Sequence, residues 1–226
     1  MLLIETHCHS NEISACAVVT AAELLAHARA AGFQGIALTN HYSEYNIFTH
    51  FKEEPRVFCE RFIRTLDAAK WEGERRGMRV FSACEVSLNR YEWRDIILAG
   101  DVAPFLRACP EPYRLTQAEL FARASAFGLF AYHAHPFRAV APETPEARYL
   151  HGIEVYNAHT HAAGNAAARK FARAAGLTGL YGTDYHGWYD GTCAGIYIPD
   201  RVKTDADYAA FLHKGRFKHK VFPSSK

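Results

Sequence analysis

The sequence lacks the features that mark membrane-spanning, secreted and nucleic-acid-binding proteins. No apolar run reaches the roughly 18 residues that a membrane-spanning helix needs, and no basic leader precedes an apolar stretch among the first residues. The formal net charge of +2 is too small to favour long nucleic acid as a partner. The basic cluster from Lys214 to Phe222 is expected to be a solvated tail or an edge strand. We therefore expect no membrane span and no signal peptide.

The cysteines form neither a C-x-x-C pair nor a tight disulfide framework. Six are spread along the chain: Cys8, Cys16, Cys59, Cys84, Cys109 and Cys193. In a chain of 226 residues, this spacing predicts free thiols in a reducing compartment. We therefore expect a cytoplasmic protein.

The sequence also lacks internal repeats and any linker rich in proline or glycine, so we expect residues 1–226 to form one domain. Strand-like runs cover 2–6, 35–39, 78–86, 94–100, 128–136, 152–157, 177–186 and 192–199, and helix-like segments cover 20–32, 53–77, 116–127, 162–176 and 205–214. Capping boxes at Thr20 with Glu23 and at Thr116 with Glu119 mark two helix starts. The alternation predicts an α/β fold, with a parallel sheet or barrel and helices outside it. An aromatic stretch, 42–51, is expected to be a loop.

Histidine is abundant, with 13 in the chain, and many stand at the polar ends of apolar runs. These are His7, His9, His41, His133, His135, His159, His161 and His186. Such a group is difficult to satisfy without a shared ligand. Because barrels of this type build their sites at the carboxyl ends of their strands, we expect these side chains to converge there.

The first pair has a spacing suited to one metal ion. Residues i and i+2 of a strand share a face and lie roughly 7 Å apart, so His7 and His9 can reach one ion at about 2.0–2.1 Å. Cys8 then points the other way, as a packing residue. The full candidate set is His7, His9, His41, Glu85, His135, Asp184 and His186. Because it exceeds the ligands of a single zinc, we predict two or three divalent ions (Zn, Mn or Fe), a pair of them bridged by Glu85.

In their order and spacing, the motifs resemble those of the PHP family, the polymerase and histidinol phosphatase superfamily. "ETHCHS" looks like the H-x-H motif after strand 1, "ALTNHY" like T-D-H, "ACEVS" like G-x-E, "AYHAHPFR" like the H-P motif followed by arginine, "GIEVYN" like E-x-x-N and "GTDYH" like D-x-H. The resemblance covers most of the chain. It implies a distorted (β/α)7 TIM-like barrel with up to three metal ions.

The same resemblance implies which residues hold the ions. The first ion would take His7, His9, Glu85 and Asp184, and the second would take Glu85 and His135. The third would take His41 and His186, with Glu12 as a further candidate. Asn40 stands where the family usually has aspartate, at a position that contacts the ligands, and no histidine follows the glutamate motif. The second ion would then either bind more weakly or be completed by His133 or His159.

Other residues have two interpretations each. Arg138 is a candidate phosphate clamp or a rim salt bridge, and Asn157 either orients a ligand or forms a turn. His159 and His161 are candidates for substrate contact or leaving-group protonation. The aromatic stretch 42–51 either covers the substrate or packs on a neighbouring helix.

The resulting hypothesis is a phosphoesterase that hydrolyses a small phosphate ester, a nucleotide or a phosphomonoester, with metal-activated hydroxide. Alternatives are an amidohydrolase-type metal hydrolase, in which a lysine usually bridges the ions where this chain has Glu85, and a non-catalytic metal-binding domain. Nothing in the sequence indicates an oligomeric state.

Overall fold

The computed structural model describes residues 1–89, 91, 94–138, 144–187 and 191–223. The strands are β1 Leu2–Cys8, β2 Gly35–Leu38, β3 His41–Tyr42, β4 Arg79–Ser87, β5 Asp95–Ala99, β6 Phe130–His133, β7 Gly152–Asn157, β8 Thr178–Gly182, β9 Thr192–Ile198 and β10 His219–Pro223. The α-helices are α1 Ala21–Ala31, α2 Pro55–Arg76, α3 Val102–Ala108, α4 Gln117–Ala126, α5 Ala162–Ala175 and α6 Asp205–His213. Single helical turns of 3-10 type cover Pro112–Arg114 and Ala147–Tyr149.

The strands form one sheet in the order β10-β9-β1-β2-β4-β5-β6-β7-β8, with β3 paired to β4. The part of the sheet from β1 to β8 closes into a barrel, because the chain after β8 lies beside β1. Cys8 and Tyr185 form a parallel β-bridge at this closure. The buried carboxylate of Glu5 strengthens this closure, because it accepts hydrogen bonds from the backbone N–H groups of His7 and Thr183 at 3.1 and 2.9 Å. The predicted distorted α/β barrel is thus confirmed, whereas the assignment of the whole chain to one metallohydrolase domain stays a prediction.

The expectation of a parallel barrel is wrong at β5, which runs antiparallel to both β4 and β6. Residues 88–94 are too few for the crossover of about a dozen residues or more that a parallel connection needs. β9 is likewise antiparallel to β1, and β10 is antiparallel to β9. The basic C-terminal cluster therefore contributes an edge strand, one of its two expected forms.

Two apolar layers hold the barrel. The interior is filled from the strands by residues such as Ile4, Phe81 and Tyr132, and Tyr208 of α6 stacks on Phe81 with ring centroids 4.5 Å apart. The outer layer packs the other faces of the strands against the helices. The helix starts follow the sequence: both predicted capping boxes form, at Thr20 and at Thr116. No helix of the described chain is both long and apolar enough to cross a membrane.

The expectation of a loop over 42–51 is wrong. His41–Tyr42 pair with β4, and Tyr45–Phe51 form a π-helix. Tyr42 is fully buried, with its ring against Phe58 and Phe62 of α2 at centroid distances of 5.2 and 5.3 Å. Of the two interpretations offered for this stretch, packing on a neighbouring helix describes Tyr42. Aromatic packing gives the segment a regular structure that its sequence pattern does not indicate.

Candidate metal centre

Four side chains from three places in the chain converge at one end of the barrel. His7 and His9 come from the end of β1, Glu85 from β4 and Asp184 from the turn after β8. His7 Nε2 lies 3.3 Å from both Glu85 Oε2 and Asp184 Oδ1, and His9 Nε2 lies 3.4 and 3.3 Å from the same two oxygens. All four side chains are almost completely buried. Their ligand-type atoms therefore enclose one small volume.

This arrangement fits a divalent metal ion. Ligand atoms at about 2.0–2.1 Å from a tetrahedral ion lie about 3.3–3.4 Å from one another, which matches the four distances between these histidines and carboxylates. His7 Nε2, His9 Nε2 and Glu85 Oε2 are buried and have no hydrogen-bond partner within the part of the chain that the structure describes. Buried polar atoms are nearly always paired, so three such atoms facing one point indicate a ligand between them.

A second group lies beside the first and shares Glu85. The Oε1 atom of Glu85 is 3.1 Å from His135 Nε2, which is 3.8 Å from Asp95 Oδ2. One ligand atom from each of these three residues lies within 4.8 Å of the others. Glu85 thus presents one oxygen to each group, which is the geometry that a bridging carboxylate requires. Asp95 was not predicted as a ligand, because a search of strand carboxyl ends misses it: it begins the antiparallel strand β5.

A third group lies at the outer edge. One ligand atom each from His9, His41 and His186 lies within 4.8 Å of the others, and the ring of His9 stacks on those of His41 and His186 at 4.4 and 4.3 Å. Glu12, the further ligand expected here, is not brought to this group. Its carboxylate instead accepts from the backbone N–H of Ala21, at 2.9 and 3.2 Å, at the start of α1.

Glu154 of β7 positions the first group from behind. Its Oε1 lies 2.9 Å from His7 Nδ1, and its Oε2 accepts from the backbone N–H of His135 at 2.6 Å and from Asn157 Nδ2 at 3.0 Å. A carboxylate at Nδ1 fixes the imidazole tautomer that leaves Nε2 free to bind metal. Asn157 therefore orients Glu154, and the Oδ1 atom of Asn157 accepts from the backbone N–H of His159 at 3.0 Å. The sequence places Glu154 at a strand end, in "GIEVYN", but the predicted ligand set did not include it.

Asn40 performs the anchoring that its position suggests. Its Oδ1 accepts from the backbone N–H of Ser10 at 2.7 Å and from Ser14 Oγ at 3.0 Å, while its Nδ2 donates to Ser10 Oγ at 3.0 Å. Ser14 Oγ in turn lies 3.4 Å from His9 Nδ1. Asn40 thus contacts a histidine of the first group only through Ser14, and an amide satisfies all three of these hydrogen bonds.

The backbone at the site is held in conformations that side chains rarely adopt. His135 has φ 31° and Asp184 has φ 64°, both in the left-handed region. Such residues cost on the order of 1–3 kcal/mol each and cluster at functional sites. Gly182 is needed for a different reason: a Cβ at this position would collide with Glu154 Oε1 and lie 2.7 Å from His7 Cβ. Strand β8 can approach the metal-site histidine only because this residue has no side chain.

The remaining candidates are divided between the site and its surroundings. Arg138 is half-exposed, and its Nη1 donates to Asp184 Oδ2 at 2.9 Å, so the guanidinium stands at the open side of the first group. The hydroxyl of Tyr132 donates to Thr6 O inside the barrel. Because successive strand residues point to opposite faces, the next residue, His133, faces outward. Its imidazole is near the positive charges of Arg94 and His135. His161 caps α5, accepting from Gly164 N at 3.0 Å, and His159 is exposed. The structure therefore brings neither His133 nor His159 to the second group.

The charges of the site are mutually dependent. Burial opposes a positive charge on His7, yet Glu154, Asp184 and Glu85 raise its pKa well above the usual value. Burial alone would raise the pKa of Glu85, but the surrounding histidines outweigh burial and hold this pKa well below the usual value. Burial and the neighbouring His186 and His41 lower the pKa of His9. Metal binding must then release protons, because imidazole ligands bind in the neutral form.

The outer edge of the site shows the same balance. Burial lowers the pKa of His41, but the nearby Glu85 carboxylate outweighs it and raises the value to about 10. Burial alone would raise the pKa of the Cys16 thiol, whereas the neighbouring His186 and His41 bring it down to about 6. Cys16 is the exposed cysteine of the set.

No protein-family model matches the sequence, and no functionally curated protein matches it at a significant level. Solved structures do match it. A two-domain protein from Bacteroides vulgatus that contains a predicted PHP-like metal-dependent phosphoesterase has a TM-score of 0.71 and 18% identity over 97% of this chain. This chain spans 64% of that protein.

Two further structures cover most of both chains. One is a protein from Bifidobacterium adolescentis that is inferred to be a metal-dependent phosphoesterase. Its TM-score is 0.60, and its identity is 14% over 94% of this chain and 96% of that one. The other is an amidohydrolase from Chromobacterium violaceum with bound sulfate and no metal, with a TM-score of 0.58 and 16% identity over 81% of this chain and 87% of that one. The distorted α/β barrel expected from the motifs is thus confirmed as the fold.

Proposed function

We propose that this protein is a PHP-type metal-dependent hydrolase that acts as a phosphoesterase on a small phosphate ester, either a phosphomonoester or a nucleotide. The observation that carries the proposal is a set of three buried atoms, His7 Nε2, His9 Nε2 and Glu85 Oε2, that face one point and have no hydrogen-bond partner among the described residues. Such an arrangement is costly in the absence of a cation and is explained by one.

Two or three divalent ions are proposed, with Zn, Mn and Fe as candidates. His7, His9, Glu85 and Asp184 would hold the first, and Glu85, His135 and Asp95 would hold the second. When bound, such ions lower the pKa of coordinated water to roughly 7 and neutralise charge on phosphoryl oxygens. His41 and His186 belong to the third, outer ion.

The protein's own groups supply orientation and charge around this centre. Glu154 keeps His7 in the tautomer with a free Nε2, and Asp184 holds Arg138 at the open side. A guanidinium engaged by one N–H still has further donors for two phosphate oxygens. Because Arg138 is the half-exposed cation beside the buried cluster, it supports an anionic substrate over a neutral one.

The proposal is tested by a phosphate-ester screen on protein of measured metal content. We expect two or three equivalents of metal, hydrolysis of a phosphomonoester or nucleotide, and loss of that activity on chelation. Glu85→Ala and His7→Ala should both lose activity, whereas Glu60→Ala, which removes a surface carboxylate paired with Arg107, should keep it. Activity that survives in Glu85→Ala would contradict the proposal.

An amidohydrolase function is the second candidate, because the Chromobacterium violaceum structure with this fold carries that description. The carboxylate of Glu85, rather than a lysine, stands between the two ligand groups, which supports the phosphoesterase. Turnover of lactams or cyclic amides with none of phosphate esters would reverse this assignment. Full metal loading with turnover of neither class would indicate a non-catalytic metal-binding domain.

The proposal also places the enzyme in the cytoplasm. All six cysteines are free thiols, which a reducing compartment preserves. Cell fractionation tests this, and recovery of the protein from an oxidising, secreted fraction would contradict it.

A further inference from the structure

Two aromatic side chains near the metal centre face solvent rather than the core. Tyr45 and Phe48 lie on the π-helix that follows His41, and they are 59% and 41% exposed. Other residues anchor this helix: Ile47 is fully buried, and Asn46 Nδ2 donates to the backbone oxygen of His41 at 3.1 Å. The exposed pair is therefore held close to a proposed metal ligand, with much of its surface open to solvent.

The cavity beside this pair has a volume of about 610 Å³ and is lined by Glu44, Tyr45, Phe48, Thr49 and Arg114. Glu44 Oε2 accepts from Asn89 Nδ2 at 2.8 Å. Asn89 follows the carboxyl end of β4, the strand that supplies Glu85, so the cavity lies at the same end of the barrel as the metal centre. Its volume is in the range of small-molecule sites, roughly 300–1,000 Å³.

The charged groups at this cavity neutralise one another. Arg114 Nε lies 2.9 Å from Glu111 Oε1, and Arg114 Nη2 lies 3.7 Å from Glu44 Oε1. Because one guanidinium is shared between two carboxylates, the described residues that line the cavity carry no excess of positive charge for a second anionic group. An uncharged apolar or aromatic group fits this composition, since exposed apolar surface with a polar rim is typical of ligand-binding sites.

A further exposed apolar side chain lies beside the other outer histidine. Val18 is 57% exposed, and its backbone N–H donates to the backbone oxygen of His186 at 2.9 Å. The rings of His186 and His41 are 6.1 Å apart. Exposed apolar groups from two separate segments of the chain therefore adjoin the outer histidines of the metal centre.

We propose that Tyr45 and Phe48 form a subsite for the organic part of the substrate, and that this part is an uncharged alcohol carrying an aromatic or other apolar group. The inference rests on the proposed phosphoesterase function and narrows its substrate class. Arg138 would contact the phosphate, whereas the subsite would hold the alcohol. In the hydrolysis, the oxygen of water bonds to phosphorus, the bond from phosphorus to the alcohol oxygen breaks, and a proton from water passes to that oxygen. Of the two interpretations of the stretch 42–51, covering the substrate then applies to its exposed aromatic side chains.

The first test compares two esters with similar leaving groups, 2-phenylethyl phosphate and ethyl phosphate, on metal-loaded full-length protein. We expect kcat/KM to be roughly tenfold higher for the phenylethyl ester in the wild type and in Phe127→Ala. Phe127, 44% exposed at the end of α4, is the matched control for Phe48. With Tyr45→Ala and Phe48→Ala combined, the preference should fall below about threefold because the aromatic contacts are lost, and kcat/KM for ethyl phosphate should not change. An undiminished preference in this double variant would overturn the proposal.

A binding measurement tests the subsite without turnover. Calorimetric titration of the metal-loaded wild type should show roughly tenfold tighter binding of 2-phenylethylphosphonate than of ethylphosphonate. The difference should disappear in the double variant. Because Glu44 and Glu111 repel a second anion, 2-carboxyethylphosphonate should bind no more tightly than ethylphosphonate. Equal affinities of the wild type for the phenylethyl and ethyl compounds, or binding of neither, would overturn the proposal.

Two further outcomes separate this proposal from its alternatives. Selective binding of 2-phenylethylphosphonate by protein that hydrolyses no phosphate ester would leave the subsite in place and refute the phosphoesterase proposal alone. A wild-type dimer that dissociates in the double variant on sedimentation, with equal affinities for the two phosphonates, would identify Tyr45 and Phe48 as an interface between copies of the chain and overturn the subsite.

Discussion

Glu154 Oε1 lies 2.9 Å from His7 Nδ1, in a pair that is closed to solvent. The same carboxylate accepts two further hydrogen bonds on Oε2. Both oxygens of Glu154 must act as acceptors, because the three groups that contact them, His7 Nδ1–H, His135 N–H and Asn157 Nδ2, are all donors. Glu154 thus links strand β7 to the proposed metal ligands of β1 and to the turn after β6.

Glu154→Gln is therefore expected to weaken metal binding although the change is nearly isosteric. Either orientation of the amide places an NH₂ group against a donor, so His7 loses its tautomer or His135 loses its anchor. Loss of such a supporting carboxylate typically costs roughly 10- to 100-fold in metal affinity. Competitive titration with a chromophoric chelator measures the change, with Glu60→Gln as the matched control. Wild-type affinity in Glu154→Gln would show that the pair does not control the ligand.

Gly182→Ala should damage the same pair through steric overlap. The added methyl would collide with Glu154 Oε1 and lie 2.7 Å from His7 Cβ, so one of them must move. Overpacking of this kind costs about 1–3 kcal/mol of unfolding free energy, and here it should also lower metal affinity. Gly176→Ala is the control, because its φ of 67° makes it destabilising while a Cβ there meets no atom within 4 Å. Equal metal affinity in the two variants would contradict the argument.

Much of the fold follows from local sequence signals, and the site only in part. The capping boxes at Thr20 and Thr116 are local and were predicted correctly. Asp95 depends on the direction of β5, which is set by pairing with β4 rather than by its own residues. Asp95 was therefore not among the predicted ligands, because periodicity carries no information about strand direction.

Removal of metal should destabilise the protein measurably. A cation that binds only the folded state at 100 times its dissociation constant adds about 2.7 kcal/mol, which for a domain of this size raises Tm by about 5–10 °C. We expect a chelator to remove this increment in the wild type and in Glu60→Gln. In Glu85→Gln, which weakens two ligand groups at once, the chelator should have little effect. An unchanged wild-type Tm on chelation would argue against a bound ion.

Arg138→Ala should impair catalysis without removing metal. The guanidinium contacts Asp184 from the open side, where it can bind phosphate oxygens, and its loss should lower kcat/KM by roughly 10- to 100-fold. Arg138→Lys should recover only part of this, since an ammonium group cannot form two parallel hydrogen bonds. Arg173→Ala, on the exposed face of α5, is the control. Unchanged kcat/KM in Arg138→Ala would show that the arginine forms only a salt bridge at the rim and does not bind the substrate.

His151, remote from the candidate metal centre, should make stability fall at acidic pH. Its Nδ1 accepts from Ala131 N at 3.0 Å, and burial, followed by the charge of His213, lowers its pKa from 6.5 to about 4. Because the folded pKa is depressed, the stabilisation is complete above the unfolded pKa of about 6.5 and is lost as pH falls through about 4. The imidazole is partly exposed, so solvent screening reduces the effect to roughly 1 kcal/mol between pH 7 and about pH 4.5. Urea unfolding of metal-free His151→Asn, whose amide oxygen accepts without titrating, should show a pH dependence weaker by that amount, whereas exposed His50→Asn should match the wild type. Identical pH profiles for His151→Asn and the wild type would exclude this role.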